Sequence, residues 1–372
     1  MNKILQIVPR VPGGLDGVGD YALTIASKLR VKFGVTTVFA TPEISSVTNA
    51  GGFEVRPLNQ SFGAKEFDRV ILHYVNYGYQ KRGVPFGLLS ILRQMRRRHS
   101  FKLLTIFHEL YASGPPWRSE FWLQPIQIHI TRSIACLSDN CIVSSENFFS
   151  ELHRLVPDVR TLLHPTPSGL EEPSLSPEQI AKRDPHRWVI VGGTVLAERS
   201  LRSFARAIAL IPESIAPRAL IVLGGNENSV VRSLLADLVR SPRRHSAWRG
   251  IECDYRPRIA ASEASDALST CSYAWIDYFH QPDVETSVVL KSSAFAAACA
   301  HAVIPTFPHR GTPISIAGDR LPGPFFVESS GYEVPNAEDR PKVGQAIYDW
   351  YQLRASSDQL VCGISVALEL NP

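Results

Sequence analysis

The stretch Ile4-Leu5-Gln6-Ile7-Val8-Pro9-Arg10-Val11-Pro12-Gly13-Gly14-Leu15-Asp16-Gly17-Val18-Gly19 decides the reading of the fold. An apolar strand ends in a glycine-rich loop, and Val18, Ala22, Ile25, Ala26 and Leu29 then form one stripe of an amphipathic helix before a second strand at Val35 to Ala40. Glycines between a strand and a helix N-terminus expose backbone N–H groups at the positive end of the helix dipole, a setting suited to phosphate. The loop lacks the Gly-Lys-Ser/Thr ending of a P-loop and the glycine spacing of a dinucleotide fingerprint. A bare strand-to-helix turn needing positive φ is the other reading of the same glycines.

Working outward, apolar strands alternate with helical patterns. They are expected at Arg69 to His73, a helix at Pro85 to Arg98, Phe101 to Phe107, a helix at Trp117 to Leu137, Asn140 to Ser144, and a helix at Glu146 to Leu155. Such alternation predicts an α/β fold with a mostly parallel sheet covered on both faces. Pro165, Pro167, Pro173, Pro177 and Pro185 then interrupt the chain, and the segment reads as a linker. The alternation restarts at Arg187 to Val191, with a helix at Glu198 to Leu210, a strand at Ala219 to Leu223 and a helix at Ser229 to Arg240. Strands at Tyr273 to Asp277 and Ala302 to Thr306 flank a helix at Leu290 to His301. The expected organisation is a first domain over 1–165, a linker over 166–185, a second domain over 186–344, and a helical tail over 345–372 packing back on the first domain.

Length fits two domains: 372 residues exceed what one core usually supports. With 44% apolar and 20% charged residues the composition is that of a globular protein, and a net charge of +4, spread among nearly as many acids, argues against nucleic acid as a partner. Six cysteines show no metal-ligand spacing, and no apolar run reaches the length that crosses a bilayer. The absence of a signal-peptide pattern gives the expectation of a cytoplasmic protein.

Several residues carry chemistry. His108-Glu109 ends the strand Leu103 to Phe107, at the carboxyl edge where α/β sheets bind ligands. His108 is either packed at a strand end or a hydrogen-bonding group for substrate. Ala112 supplies no second ligand, so the zinc-protease reading is discarded. Ser113 to Arg118 forms a stiff loop opening a helix, in which Trp117, Phe121 and Trp122 serve as core or as a sugar platform. The second half repeats the glycine theme in Gly192-Gly193 and Gly224-Gly225-Asn226, with Glu198-Arg199-Ser200 at a helix start. Arg199 offers a fork of donors to phosphate oxygens. Lys291, Ser292 and Ser293 open another helix and combine a cation, hydroxyls and a helix N-terminus. Arg93, Arg96, Arg97 and Arg98 close an apolar helix that suits an anionic lipid surface or simply its own dipole, and Arg240, Arg243, Arg244 and His245 read as a solvated loop.

With those residues in view, the chain resembles the GT-B glycosyltransferases of the family-4 type, nucleotide-sugar-dependent enzymes of bacterial polysaccharide assembly. The resemblance rests on Gly17-Val18-Gly19-Asp20-Tyr21-Ala22-Leu23, on Phe107-His108-Glu109-Leu110 running into Ser113 to Trp122, and on Ala300-His301-Ala302 as an Ala-His-Gly element. It implies two Rossmann-like lobes facing across a cleft, with a nucleotide-sugar donor on the C-terminal lobe and a saccharide acceptor on the N-terminal lobe; a lipid-linked acceptor is the expectation. It further implies that His108 contacts the donor sugar, that Arg199 and Lys291 stabilise the leaving diphosphate, and that configuration is retained without a metal or other cofactor. Gly17, Gly19, Gly192, Gly193, Gly225, Glu285, Ser292 and Ser293 fall on the donor side, and Asp20, Trp117 and Arg118 on the acceptor side. The family's two glutamates should stand near Ser287 and Phe295, or Val289 and Ala297, where no carboxylate occurs; Asp283 and Glu285 are out of phase, and Gly193 replaces the usual arginine. A catalytically silent scaffold of the same fold is therefore the second expectation.

Overall fold

The computed structural model describes residues 3–13, 17–60, 66–240, 250–278 and 285–370. Gly14, Leu15, Asp16, Asp283, Arg243, Arg244 and His245 lie outside the described residues. Two compact units emerge: Met1–Pro165 with Ser357–Pro372, and Thr166–Ser356.

In chain order the first unit contains β1 (Lys3–Ile7), α1 (Gly17–Phe33), β2 (Thr36–Thr41), β3 (Thr48–Ala50), β4 (Phe53–Pro57), β5 (Arg69–Tyr74) and α2 (Asn76–Tyr79). It continues with α3 (Phe86–Arg98), β6 (Lys102–Phe107), α4 (Ser119–Leu137), β7 (Asn140–Val143), α5 (Glu146–Leu155) and β8 (Thr161–Leu163). The sheet order is β3-β4-β2-β1-β5-β6-β7-β8, parallel except for β3 against β4. Alternate residues serve opposite faces. Ile4, Ile71, Leu104 and Ile106 pack with Ile25 and Leu29 of α1, while Leu5, Ile7, Leu72 and Leu103 pack with Leu88, Leu92, Ile130 and Ile134 of α3 and α4. Burial on both faces is what near-continuous apolar strands require.

The second unit contains α6 (Pro177–Ala181), β9 (Arg187–Val191), α7 (Thr194–Ala207), β10 (Ala219–Leu223), α8 (Ser229–Arg240), β11 (Glu252–Arg256), α9 (Ala261–Ser269) and β12 (Tyr273–Trp275). After these come α10 (Ser293–Ala300), β13 (Ile304–Phe307), β14 (Ser315–Ile316), β15 (Asp319–Arg320), β16 (Phe325–Glu328), β17 (Gly331–Glu333) and α11 (Arg340–Arg354). Its main sheet runs β11-β10-β9-β12-β13-β16-β17, parallel except for β16 against β17. Trp188, Phe204, Tyr273 and Trp275 form an aromatic cluster at its centre, and both indole N–H groups find acceptors, at Ile215 O (2.9 Å) and Ser203 Oγ (3.0 Å).

Two boundaries differ from the sequence expectation. The proline-interrupted segment is part of the second unit: Thr166 N–H donates to Leu290 O (2.8 Å), Ser168 N–H to Tyr351 Oη (2.8 Å) and Leu175 N–H to Tyr348 Oη (3.2 Å). Ser176 and Gln179 close a capping box on α6, and buried Arg340 donates to the carbonyls of Ile180 and Ala181 at its far end. The tail also divides. Helix α11 stays with the second unit, against α6 and α10, because Ile347, Trp350 and Tyr351 are buried there. Only α12 (Ser357–Ala367) packs on α1, with Leu360, Val361 and Ile364 in the core of the first unit.

Candidate functional site

In the second unit the chain winds outward from β9 through β10 to β11, and in the opposite sense from β12 to β13. Between the carboxyl ends of β9 and β12 the connections diverge, which opens the crevice where such sheets hold nucleotides. Gly192 leaves β9 with φ +146° and Gly193 is the N-cap of α7, so no capping side chain competes for the first-turn N–H groups. Gly225, with φ +69°, lies against Thr194 so closely that a Cβ would stand 2.6 Å from the Thr194 amide nitrogen. Thr194 Oγ1 accepts from Asn226 N–H (2.8 Å), tying the β10 loop to the start of α7.

Helix α7 begins four residues before the expected Glu198, so Arg199 sits in its second turn rather than at its start. Its Nε donates to Asp277 O (2.6 Å) and lies 3.7 Å from Asp277 Oδ1. Asp277, just beyond β12 and buried, also donates its N–H to Ser200 Oγ (3.0 Å). Asp277, missed as a site residue in the sequence, holds Arg199 across the switch point through its main-chain carbonyl, with its carboxylate close by. Lys291 ends a 3-10 turn, Thr286–Lys291, that precedes α10, and Ser292 rather than Lys291 caps the helix, accepting from Phe295 N–H (3.3 Å). Ser293 begins α10 beside Gly169. Glu285 is exposed at the start of the 3-10 turn, its Oε1 accepting from Ser287 Oγ (2.6 Å). The topology thus brings Gly192, Gly193, Gly225, Arg199, Asp277 and Lys291 to one sheet edge.

The first unit has its own switch point, between β1 and β5. Gly13 follows β1 with φ +84°, whereas Gly17 and Gly19 lie in the first turn of α1, which carries Asp20. His108 follows β6, and its Nε2 is 3.2 Å from Nδ1 of His73, a fully buried residue of β5. The two rings are nearly parallel, 16° apart with centroids 5.5 Å apart, and Tyr21 of α1 meets both edge-on. His73 Nε2 is in turn 2.8 Å from Gln6 Oε1 of β1, and Gln6 Nε2 donates to Thr37 Oγ1 of β2 (3.4 Å). Burial, and then the proximity of His108, hold the His73 pKa well below the usual histidine value. The loop after His108 is pinned by Gln127, whose Oε1 accepts from Ala112 N–H (2.8 Å) and Asn76 Nδ2 (3.0 Å).

No protein-family model and no curated protein matches the chain. Solved structures do. An alpha-glucosyltransferase in complex with UDP-glucose and DNA containing an abasic site superposes over 99% of both chains at 12% identity and a TM-score of 0.54. A glycosyltransferase from Rickettsia africae covers 99% of this chain and 98% of its own, at 12% identity and 0.54. The trehalose-6-phosphate protein of E. coli bound with UDP-2-fluoro glucose covers 100% of both chains at 9% identity and 0.53. The fold is GT-B.

Within this GT-B chain, two features depart from expectation and a third decides between alternatives. His301 of the Ala-His-Gly element is buried, its Nδ1 donating to Ala297 O and its Nε2 facing Ser265 Oγ, both at 2.7 Å. It closes the end of α10, and Ala302 takes φ +54°, the left-handed backbone that explains a glycine there in the family pattern. Among the basic residues ending α3, Arg96 turns inward, donating to Leu137 O (2.7 Å), Phe101 O (2.5 Å) and Asp139 Oδ2 (2.5 Å), so it braces the domain instead of facing lipid. Arg93, Arg97 and Arg98 remain exposed. Finally, Trp117 and Trp122 are not core: they are 83% and 69% exposed, next to exposed Arg118. Among the described residues no helix is long and apolar enough to cross a membrane.

Proposed function

We propose that this chain is a retaining, nucleotide-sugar-dependent glycosyltransferase of the family-4 type, acting on a lipid-linked saccharide acceptor in surface or exopolysaccharide assembly. The supporting observation is Arg199, tethered to buried Asp277 beside the glycine-capped start of α7. Developing diphosphate charge is what preorganised donors and cations stabilise. Backbone N–H groups of α7, Arg199 and Lys291 meet that charge, so the route needs no metal. The bond between the anomeric carbon and the diphosphate oxygen breaks, the acceptor oxygen bonds to that carbon on the same face, and the departing diphosphate takes the acceptor proton. His108 orients the donor sugar. On the acceptor side, exposed Trp117 and Trp122 suit a sugar ring or the membrane interface, and Arg93, Arg97 and Arg98 suit anionic lipid.

A catalytically silent binding protein is the second reading, favoured by the absence of carboxylates at Ser287, Val289, Phe295 and Ala297. Turnover and binding of UDP-glucose separate the two. Substituting Arg199→Ala lowers kcat/KM by roughly 30- to 1000-fold if it acts as a preorganised donor, about 2–4 kcal/mol. An unchanged rate removes Arg199 from the mechanism, and UDP binding without turnover of any sugar nucleotide supports the silent protein.

A further inference from the structure

Polar side chains at the centre of an apolar parallel sheet need a reason. Gln6 and His73 are fully buried, on the face that also carries Ile4, Ile71 and Ile106. The strand register explains how they meet. Gln6 pairs with Ile71, so His73, two residues further along β5, projects from the same face as Gln6, and Thr37 stands one diagonal step away on β2. Thr37, Gln6, His73 and His108 thus form a line across four successive elements, held at 3.4, 2.8 and 3.2 Å.

The donors and acceptors in this line have a direction. With its amide nitrogen on Thr37, Gln6 presents its oxygen to His73 Nε2, and a carbonyl oxygen only accepts, so Nε2 of His73 carries hydrogen. Neutral His73 then has its lone pair on Nδ1, and the atom facing that lone pair is His108 Nε2, which must donate.

We propose that His73, oriented by Gln6, is a positioning residue that assigns the proton of His108 to Nε2 and fixes the plane of its ring. Nε2 of His108 is thereby committed to His73, whatever ligand the protein takes.

The test uses the full-length protein with 15N-labelled histidine. Two-bond 1H–15N correlation spectra are expected to show His108 as the Nε2–H tautomer. Replacing Gln6→Glu puts a carboxylate against His73 Nε2, stabilises the doubly protonated ring and turns His73 Nδ1 into a donor, so the His108 proton is expected to move to Nδ1. His73→Phe removes the acceptor and is expected to mix the tautomers. A His108 proton on Nδ1 in the parental protein, or a tautomer unmoved by both substitutions, overturns the proton assignment.

Discussion

Replacing Gly225→Ala tests whether the donor-side loops are built backbone against backbone. The new Cβ would lie 2.6 Å from Thr194 N, 2.8 Å from Thr194 Oγ1 and 2.9 Å from Thr194 Cα, and the first and last of these are main-chain atoms that cannot rotate away. Restoring ordinary contact needs the loops to part by roughly 1 Å, which takes the 2.8 Å bond from Asn226 N–H to Thr194 Oγ1 beyond hydrogen-bonding reach. Losing that bond costs about 1 kcal/mol, and a left-handed alanine about 1–2 more. The expected destabilisation of the second unit is therefore about 2–3 kcal/mol. Urea unfolding followed by tryptophan fluorescence is selective here, since the buried indoles Trp188, Trp275 and Trp350 all belong to that unit. Gly193→Ala is the control: its Cβ meets nothing within 4 Å and its φ is −66°, so it should lower stability by less than about 1 kcal/mol. The same methyl stands where a diphosphate would approach α7, so UDP affinity should still fall. A Gly225→Ala protein within about 0.5 kcal/mol of the parent, or a Gly193→Ala protein equally destabilised, refutes this account of the loops.

Acid should weaken the fold before the carboxylates titrate. Burial depresses His301 to about 4, so the unfolded chain binds the proton first; stability is complete above about pH 6.5 and falls by about 3 kcal/mol on the way to pH 4. His73 acts in the same direction, and urea midpoints that do not move between pH 7 and pH 4.5 contradict both. At the end of α3, Arg96→Ala should cost about 1–3 kcal/mol by leaving the part-buried carbonyls of Phe101 and Leu137 without this donor, whereas Arg97→Ala should leave stability unchanged and weaken sedimentation with anionic liposomes. Equal effects of the two substitutions on stability argue against the bracing role. A double-mutant cycle of Arg199→Met and Asp277→Asn should give a coupling of about 1 kcal/mol in stability, reduced by the partial exposure of Arg199; no coupling would separate the pair.

Much of the fold was legible because continuous apolar strands lie between glycines. β9, β10, α5 and α8 fall at the residues where period and punctuation placed them. The start of α7 was not legible, since its cap is a glycine without a side-chain acceptor and Glu198 imitates a helix opening one turn later. The proline-rich segment misled for a different reason. Its N–H groups are satisfied by Tyr348 and Tyr351, whose positions some 180 residues onward no local pattern reveals. At the site, the glycines, His108 and Arg199 carried local signals, but Asp277 read only as the end of a strand. Gln6 and His73 stand in the sequence as polar residues among apolar strand neighbours, but the partners that satisfy them lie on other strands, beyond any local pattern.

The return of α12 to α1 makes the first unit discontinuous in sequence while the second is a single uninterrupted stretch, 166–356. During synthesis, therefore, the later-encoded unit has all of its parts before the earlier one does. Until residues 357–370 leave the ribosome, Ile4, Ile25 and Leu29 lack the covering supplied by Leu360, Val361 and Ile364. A released chain truncated after residue 356 would carry a finished second unit and a sticky, half-dressed first one, the natural target for a chaperone.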